Sequence, residues 1–128
     1  MGRLYDLIQI LSSHSITVLA TTVLDTTDSA IIRIIVDDPD QARELLTKEG
    51  FAFTESEMIA VELDSATNLN KLMAALLEAE LNMNYMYSFI PQSNGKSMLA
   101  LNMEDNDIGE KVLKNHQFHV LKQSDISR

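Results

Sequence analysis

An internal repeat constrains the fold of this chain more than any other feature. Positions in the first half match positions of similar character 65 residues later. The offset becomes 67 residues beyond a turn that is two residues longer in the second copy. Matched pairs include Leu4 with Leu69, Val18 with Met83, Ile34 with Leu101, and Asp38 with Asp105. A repeat of this length in a chain of 128 residues predicts two copies of one small folding unit.

Hydropathy periodicity and punctuation residues predict the elements of the first copy. Asp38 and Pro39 are typical of a helix start, and Gly50 is typical of a helix end. Apolar spacing favours a helix before them, and β-branched runs favour strands. The predicted order is a helix over 2–13, strands over 16–24 and 30–36, a helix over 38–50, and a strand beginning at 51–53.

The second copy shows the same pattern with one additional strand in front. Its predicted elements are a strand over 58–63, a helix around 69–77, strands over 81–89 and 97–103, a helix over 105–115, and a strand over 118–121; a turn is predicted at 91–95. This order is the split βαβ, or ferredoxin-like, arrangement, in which an antiparallel sheet carries helices on one face. We therefore predict an α+β protein with two such modules, residues 1–56 and 57–128.

The first module contains no counterpart of the strand over 58–63, which is central in a split βαβ sheet. We expect the missing strand to lie upstream of Met1. Two alternatives stay open: a partner chain supplies the strand, or the stretch over 51–63 serves both sheets.

The predicted sheet faces away from the helices are unusually apolar. Residues expected under the helices are Ile16, Val18, Ile32, Ile34, Leu99 and Leu101. Apolar residues expected on the outer faces are Leu19, Val23, Ile31, Ile35, Met86, Met98 and Ala100, among the polar Thr17, Thr21, Arg33, Asn84 and Asn102. A face of this kind usually rests on another surface. We therefore expect a homodimer formed through sheet faces or edges.

Charge and composition exclude several classes of function. The net charge of −9 disfavours binding to nucleic acid or to anionic membranes. No apolar run reaches the length of a membrane span, there is no cysteine, and no signal peptide is recognisable, so a cytoplasmic protein is expected. His116 and His119 lack a third metal ligand, and His14 lacks an acid partner. We expect no enzyme activity, no cofactor and no metal.

Four segments resemble the ACT domain family. They are Gly2-Arg3-Leu4-Tyr5-Asp6-Leu7, Ser15-Ile16-Thr17-Val18, Val36-Asp37-Asp38-Pro39 and Asn84-Tyr85-Met86-Tyr87-Ser88-Phe89. Their order and duplication are similar to those of stand-alone bacterial proteins made of two ACT domains. The resemblance implies a regulatory protein that holds a free amino acid at the seam between modules. The alternative is an interaction scaffold that binds no ligand.

The resemblance also implies which residues contact the ligand, namely the first turn of each first helix and the segment after that helix. In the first module these are Gly2, Arg3, Leu4, Ser15, Ile16 and Thr17. In the second they are Thr67, Asn68, Leu69, Leu81, Asn82 and Met83. Met1 and Ala66-Thr67 depart from the family's usual Pro-Gly, so we expect two sites that are not equivalent.

Overall fold

The computed structural model describes residues 2–25, 27–65, 67–91 and 96–127. The chain divides into two compact units: unit 1 is Met1–Glu55 with Ser127–Arg128, and unit 2 is Ser56–Ile126. No helix in these described ranges is both long enough and apolar enough to cross a membrane.

Unit 1 contains two helices and a two-stranded antiparallel sheet. Its elements are α1 (Gly2–Ser13), β1 (Val18–Asp25), β2 (Ala30–Val36) and α2 (Pro39–Lys48). The apolar stripes of both helices meet one face of the strands in a cluster built from Leu7, Leu11, Ile16, Val36, Ala42, Leu45 and Leu46. Burial of this stripe, more than intrinsic helix propensity, holds helices of this length in place.

Local signals set the ends of α2 as predicted. The Asp38 carboxylate accepts a hydrogen bond from the Gln41 backbone N–H at 3.1 Å, and Pro39 occupies the first turn. Gly50 follows the helix with a φ of 78°, a conformation that favours glycine. The chain then turns back toward the core at Phe51, whose N–H donates to the Leu46 carbonyl.

Unit 2 has a four-stranded antiparallel sheet covered by two main helices. Its elements are β3 (Ile59–Leu63), α3 (Thr67–Glu78), β4 (Met83–Ser88), β5 (Ser97–Met103), α4 (Asn106–Asn115), β6 (Val120–Lys122) and the short α5 (Gln123–Ile126). The strand order is β4-β5-β3-β6, so β3 lies between two neighbours as the ferredoxin-like pattern requires. The predicted α+β class with antiparallel sheets is confirmed.

The strand predicted to begin at 51–53 does not form. In unit 2 the corresponding strand, β6, pairs with β3 alone. Among its described residues, unit 1 has no counterpart of β3, so the chain after Phe51 has no strand to bond to there. The predicted turn at 91–95 lies largely outside the described residues, which omit 92–95.

A β-bulge in the first strand of each hairpin corrects the predicted face assignments. The register shifts between Val18 and Ala20 in β1, and between Met83 and Tyr85 in β4. Beyond each shift, alternate side chains change faces. Residues predicted on the outer face therefore lie opposite helix-side residues: Thr21 opposite Ile34, Val23 opposite Ile32, and Met86 opposite Leu101.

Some residues on the outer sheet faces, which point away from the helices, are buried. Ile35 is opposite Ala20 in unit 1, and Ala100 is opposite Ala60 in unit 2. All four side chains are buried, although none belongs to the helix-side clusters. The outer-face pair Leu24 and Ile31, by contrast, remains 53% and 43% exposed.

Candidate functional site

The first turn of α1 carries Gly2, Arg3 and Leu4, the first predicted ligand-binding segment. Apart from its chain neighbours, a Cβ added to Gly2 would meet no atom of the described residues within 4 Å, so the space beside this turn is open. The guanidinium carbon of Arg3 lies 4.1 Å from the ring centroid of Phe51, within the range of a cation–π contact. No acidic side chain lies in this first turn, so no carboxylate of this turn offsets the positive end of the helix dipole.

The second predicted segment, Ser15 to Thr17, follows the other end of α1. Ser15 has a φ of 59°, which turns the chain out of the helix, and the Ile16 side chain is buried in the core. The Thr17 backbone N–H donates to Oδ1 of Asp37 at 2.9 Å. The Asp37 N–H in turn donates to the Thr17 carbonyl at 3.1 Å.

In unit 2 the first turn of α3 makes hydrogen bonds with the residues before it. Oγ1 of Thr67 and Oγ of Ser65 are 2.6 Å apart, and the Asn68 N–H donates to the Ser65 carbonyl at 3.1 Å. Leu69 is 38% exposed. Part of the hydrogen-bonding capacity at this helix start is therefore used within the protein.

The segment after α3 repeats the arrangement after α1. The Asn82 N–H donates to a carboxylate oxygen of Glu104 at 2.9 Å, and the Glu104 N–H donates to the Asn82 carbonyl at 3.0 Å. Leu81 and Met83 pack beside the unit 2 core. No role was predicted for Asp37 and Glu104 from the sequence, although their 67-residue offset marks them as equivalent acids.

The predicted segments do not converge within either unit. α1 has twelve residues, so its first turn and the segment after it are separated by about 18 Å along the helix. α3 has the same length and separates Thr67 from Leu81 in the same way. One small ligand therefore cannot contact both segments of a single module.

Unit 1 does bring the first turn of α1 into a cleft with residues that were not predicted from the sequence. The cleft has a volume of about 290 Å³ and is lined by Arg3, Asp6, Gln9, Ile10, Glu49 and Phe51. Arg3, Asp6 and Gln9 are spaced three residues apart on a predicted helix, and this spacing could have predicted that these three of the six lining residues lie close together. Glu49 and Phe51 follow α2 and have no such local signal.

The equivalent surface of unit 2 has a different charge. Lys71 replaces Asp6, and His116 replaces Glu49 at the repeat offsets. Nζ of Lys71 lies 5.2 Å from the ring centroid of Phe118, the equivalent of Phe51. Both units thus place a cation over the same phenylalanine position, but from different turns of the helix.

Ion pairs with clear electrostatic effects lie outside the cleft. Arg43 donates to both oxygens of Glu55, at 2.9 and 2.8 Å, and to Asp40 at 2.9 Å. The hydrogen bonds from Arg43 to Glu55 lower the pKa of Glu55. Glu110 likewise has a lowered pKa, chiefly because Lys114 hydrogen-bonds to it, with a further contribution from Lys122. In the described part of the chain, no three His, Cys, Asp or Glu side chains are grouped as metal ligands.

Comparison with known proteins gives two findings. A family model described as an ACT domain pair matches residues 1–128. The crystal structure of protein BT0572 from Bacteroides thetaiotaomicron is similar, with a TM-score of 0.88 and 26% sequence identity over 99% of this chain and 88% of that one. No curated protein matches the sequence.

Proposed function

This chain belongs to the ACT domain family as an ACT domain pair, and we propose that it regulates by binding a free amino acid. ACT domains are regulatory, non-catalytic modules that bind small-molecule ligands. The proposal adds the class of ligand and the position of its carboxylate.

The observation that carries the proposal is the open first turn of α1. Gly2 leaves room for close approach, and the helix start offers backbone N–H groups and a positive dipole end to an anion. Arg3 adds a guanidinium that lies against the face of Phe51. Together these groups suit the α-carboxylate of an amino acid.

We further propose that the ligand is held at a seam between modules. The two predicted segments of one module lie at opposite ends of the same helix. A ligand that contacts both kinds of segment must therefore take them from two modules. A homodimer is part of this proposal, and the exposed outer-face pair Leu24 and Ile31 supports it.

A ligand screen tests the proposal. Thermal shifts would be measured for the full chain with each of the twenty amino acids, followed by calorimetric titration of those that stabilise it. A ligand at 100 times its dissociation constant stabilises the native state by about 2.7 kcal/mol. The matching amino-acid amide, which lacks the carboxylate, is the control and should bind at least tenfold more weakly.

Two results would contradict the proposal. If no amino acid saturates at millimolar concentration, the ligand-free interaction scaffold becomes the better description. If the amide binds as tightly as the acid, the ligand's carboxylate does not lie at the helix start.

A further inference from the structure

We infer that the unit 1 cleft is a zwitterion site, in which Arg3 binds the α-carboxylate of the amino acid while Asp6 and Glu49 bind its α-ammonium. This inference rests on the proposed function and adds the ammonium acceptors, the stoichiometry and a selection against acidic ligands. Unit 1 supplies all six lining residues of the cleft, so one module holds both charged groups of the ligand, and the second module of the proposed seam would cover the ligand's remaining face.

Charges of both signs line the cleft without neutralising one another. In the described part of the chain, the side chains of Arg3, Asp6 and Glu49 form no ion pair or hydrogen bond, and the guanidinium of Arg3 lies over the face of Phe51. A ligand with one carboxylate and one ammonium supplies a partner for both signs. Charge-assisted hydrogen bonds of this kind are about twice as strong as neutral ones.

The contact between Arg3 and Phe51 prepares the cleft for such a ligand. It holds the guanidinium over one side of the ring, so less side-chain entropy is lost when a carboxylate binds. Ile10 and Phe51 are half-buried and offer apolar surface for a ligand side chain. At about 290 Å³ the cleft lies just below the roughly 300–1,000 Å³ typical of pockets for drug-sized ligands, a size suited to one amino acid.

The second copy of the repeat lacks both ammonium acceptors. Lys71 stands at the position of Asp6, and its ammonium lies over Phe118. His116 stands at the position of Glu49 and engages the Val112 carbonyl through Nδ1 at 2.9 Å. A cation at this position repels a ligand ammonium, so the full chain should bind one amino acid by this mode.

The cleft also selects against acidic amino acids. Asp6 and Glu49 give it two negative side chains against one positive one. The second carboxylate of an aspartate or glutamate ligand would lie near this negative excess, and like charges at close range are unfavourable. Neutral and basic amino acids should therefore dominate the ligands found in the screen.

Calorimetric titration of the best amino acid into the full chain and its variants tests the inference. Glu49→Gln and Asp6→Asn keep the shape of each side chain and remove its charge, and each should weaken binding about tenfold or more. The matched controls are Glu44→Gln, on the exposed side of α2, and Lys71→Gln in unit 2; both should leave affinity within twofold. The wild-type stoichiometry should be one per chain.

The N-acetyl derivative of the same amino acid separates a direct contact from a general loss of structure. It retains the carboxylate but has no ammonium, so Glu49→Gln should change its affinity less than twofold. Melting of each variant without ligand identifies any that fold poorly.

The outcomes distinguish the two claims. Amino-acid binding that is unchanged by both Glu49→Gln and Asp6→Asn, or that saturates at two per chain by the same mode, overturns the zwitterion site and leaves the proposed function standing. Absence of binding by any amino acid to the wild-type chain overturns the proposed function, and the zwitterion site with it.

Discussion

Asp37 accepts a hydrogen bond from the backbone N–H of Thr17 at 2.9 Å, closing the segment that follows α1. Glu104 makes the equivalent bond to Asn82 in the second unit. The backbone donor in each of these segments is therefore already engaged by a carboxylate of the protein. The open start of α1 is a better binding position for a ligand carboxylate, and the proposed function places the carboxylate there.

The Asp37 bond should contribute measurably to stability. Replacing Asp37 by Ala leaves the Thr17 N–H without this acceptor, and hydrogen bonds to charged groups contribute about 1.5–3 kcal/mol. Because Asp37 is only half-buried, we expect a loss at or just below the lower end of that range, about 1–1.5 kcal/mol. Urea unfolding would measure it. Asp37→Asn, which keeps an acceptor, should lose less, and an equal loss for both would show that the bond is not the cause.

Packing between Gly109 and Met103 predicts an energetic coupling within unit 2. A Cβ on Gly109 would collide with the Met103 methyl group, whereas unit 1 has Ala42 and Val36 at the equivalent positions. Gly109→Ala gains about 1 kcal/mol of helix propensity, but overpacking costs about 1–3 kcal/mol. Because the colliding atoms are the flexible end of the Met103 side chain, we expect a cost at the lower end of this range and a net change within about 1 kcal/mol of zero.

Adding Met103→Val should relieve that collision. The double variant is expected to be more stable than the sum of the single changes by at least about 0.5 kcal/mol, measured as a double-mutant cycle in urea. Strict additivity would contradict the packing argument.

The ion pair between Arg43 and Glu55 predicts a pH-dependent part of stability. Hydrogen bonding to Arg43 lowers the pKa of Glu55 below its ordinary value of 4.5. As pH falls, Glu55 is protonated in the unfolded chain before it is protonated in the folded chain. The ion pair therefore stabilises the fold fully above about pH 4.5, and this stabilisation is lost as pH falls through the lowered pKa of Glu55 in the folded state. The stability difference between wild type and Arg43→Gln should be constant near neutrality and shrink in acid. It should also shrink in high salt, because both groups are exposed.

The homodimer can be tested with substitutions chosen from exposure. Ile35 is unsuitable because it is only 5% exposed within one chain, so a charge there would disturb the fold itself. Leu24→Glu and Ile31→Glu change exposed outer-face residues and should shift light-scattering mass toward a monomer. Leu77→Glu is the control, since Leu77 is 79% exposed on α3. A light-scattering mass of 14.3 kDa for the wild-type protein at micromolar concentration, which is the mass of one chain, would contradict dimerisation.

The sequence by itself determined the repeat, the order of most helices and strands, and the start of α2. Each of these depends on local information: apolar periodicity, the Asp38 cap and the Gly50 turn all act within one or two helical turns. The repeat added a consistency check, because the same signals return at a fixed offset. Together they were sufficient to identify the ferredoxin-like pattern and the resemblance to ACT domains.

Only the tertiary structure decided which face each hairpin residue occupies and which residues share a cleft. A one-residue bulge reverses alternation for Thr21 and Met86, yet it leaves composition and spacing unchanged. Likewise, Arg3 meets Phe51 because α1 and the end of α2 pack on the same sheet, a contact across 48 positions of chain. Contacts of this kind depend on how the apolar stripes of separate elements pack together. No local sequence pattern predicts the distance between two residues so far apart in the chain.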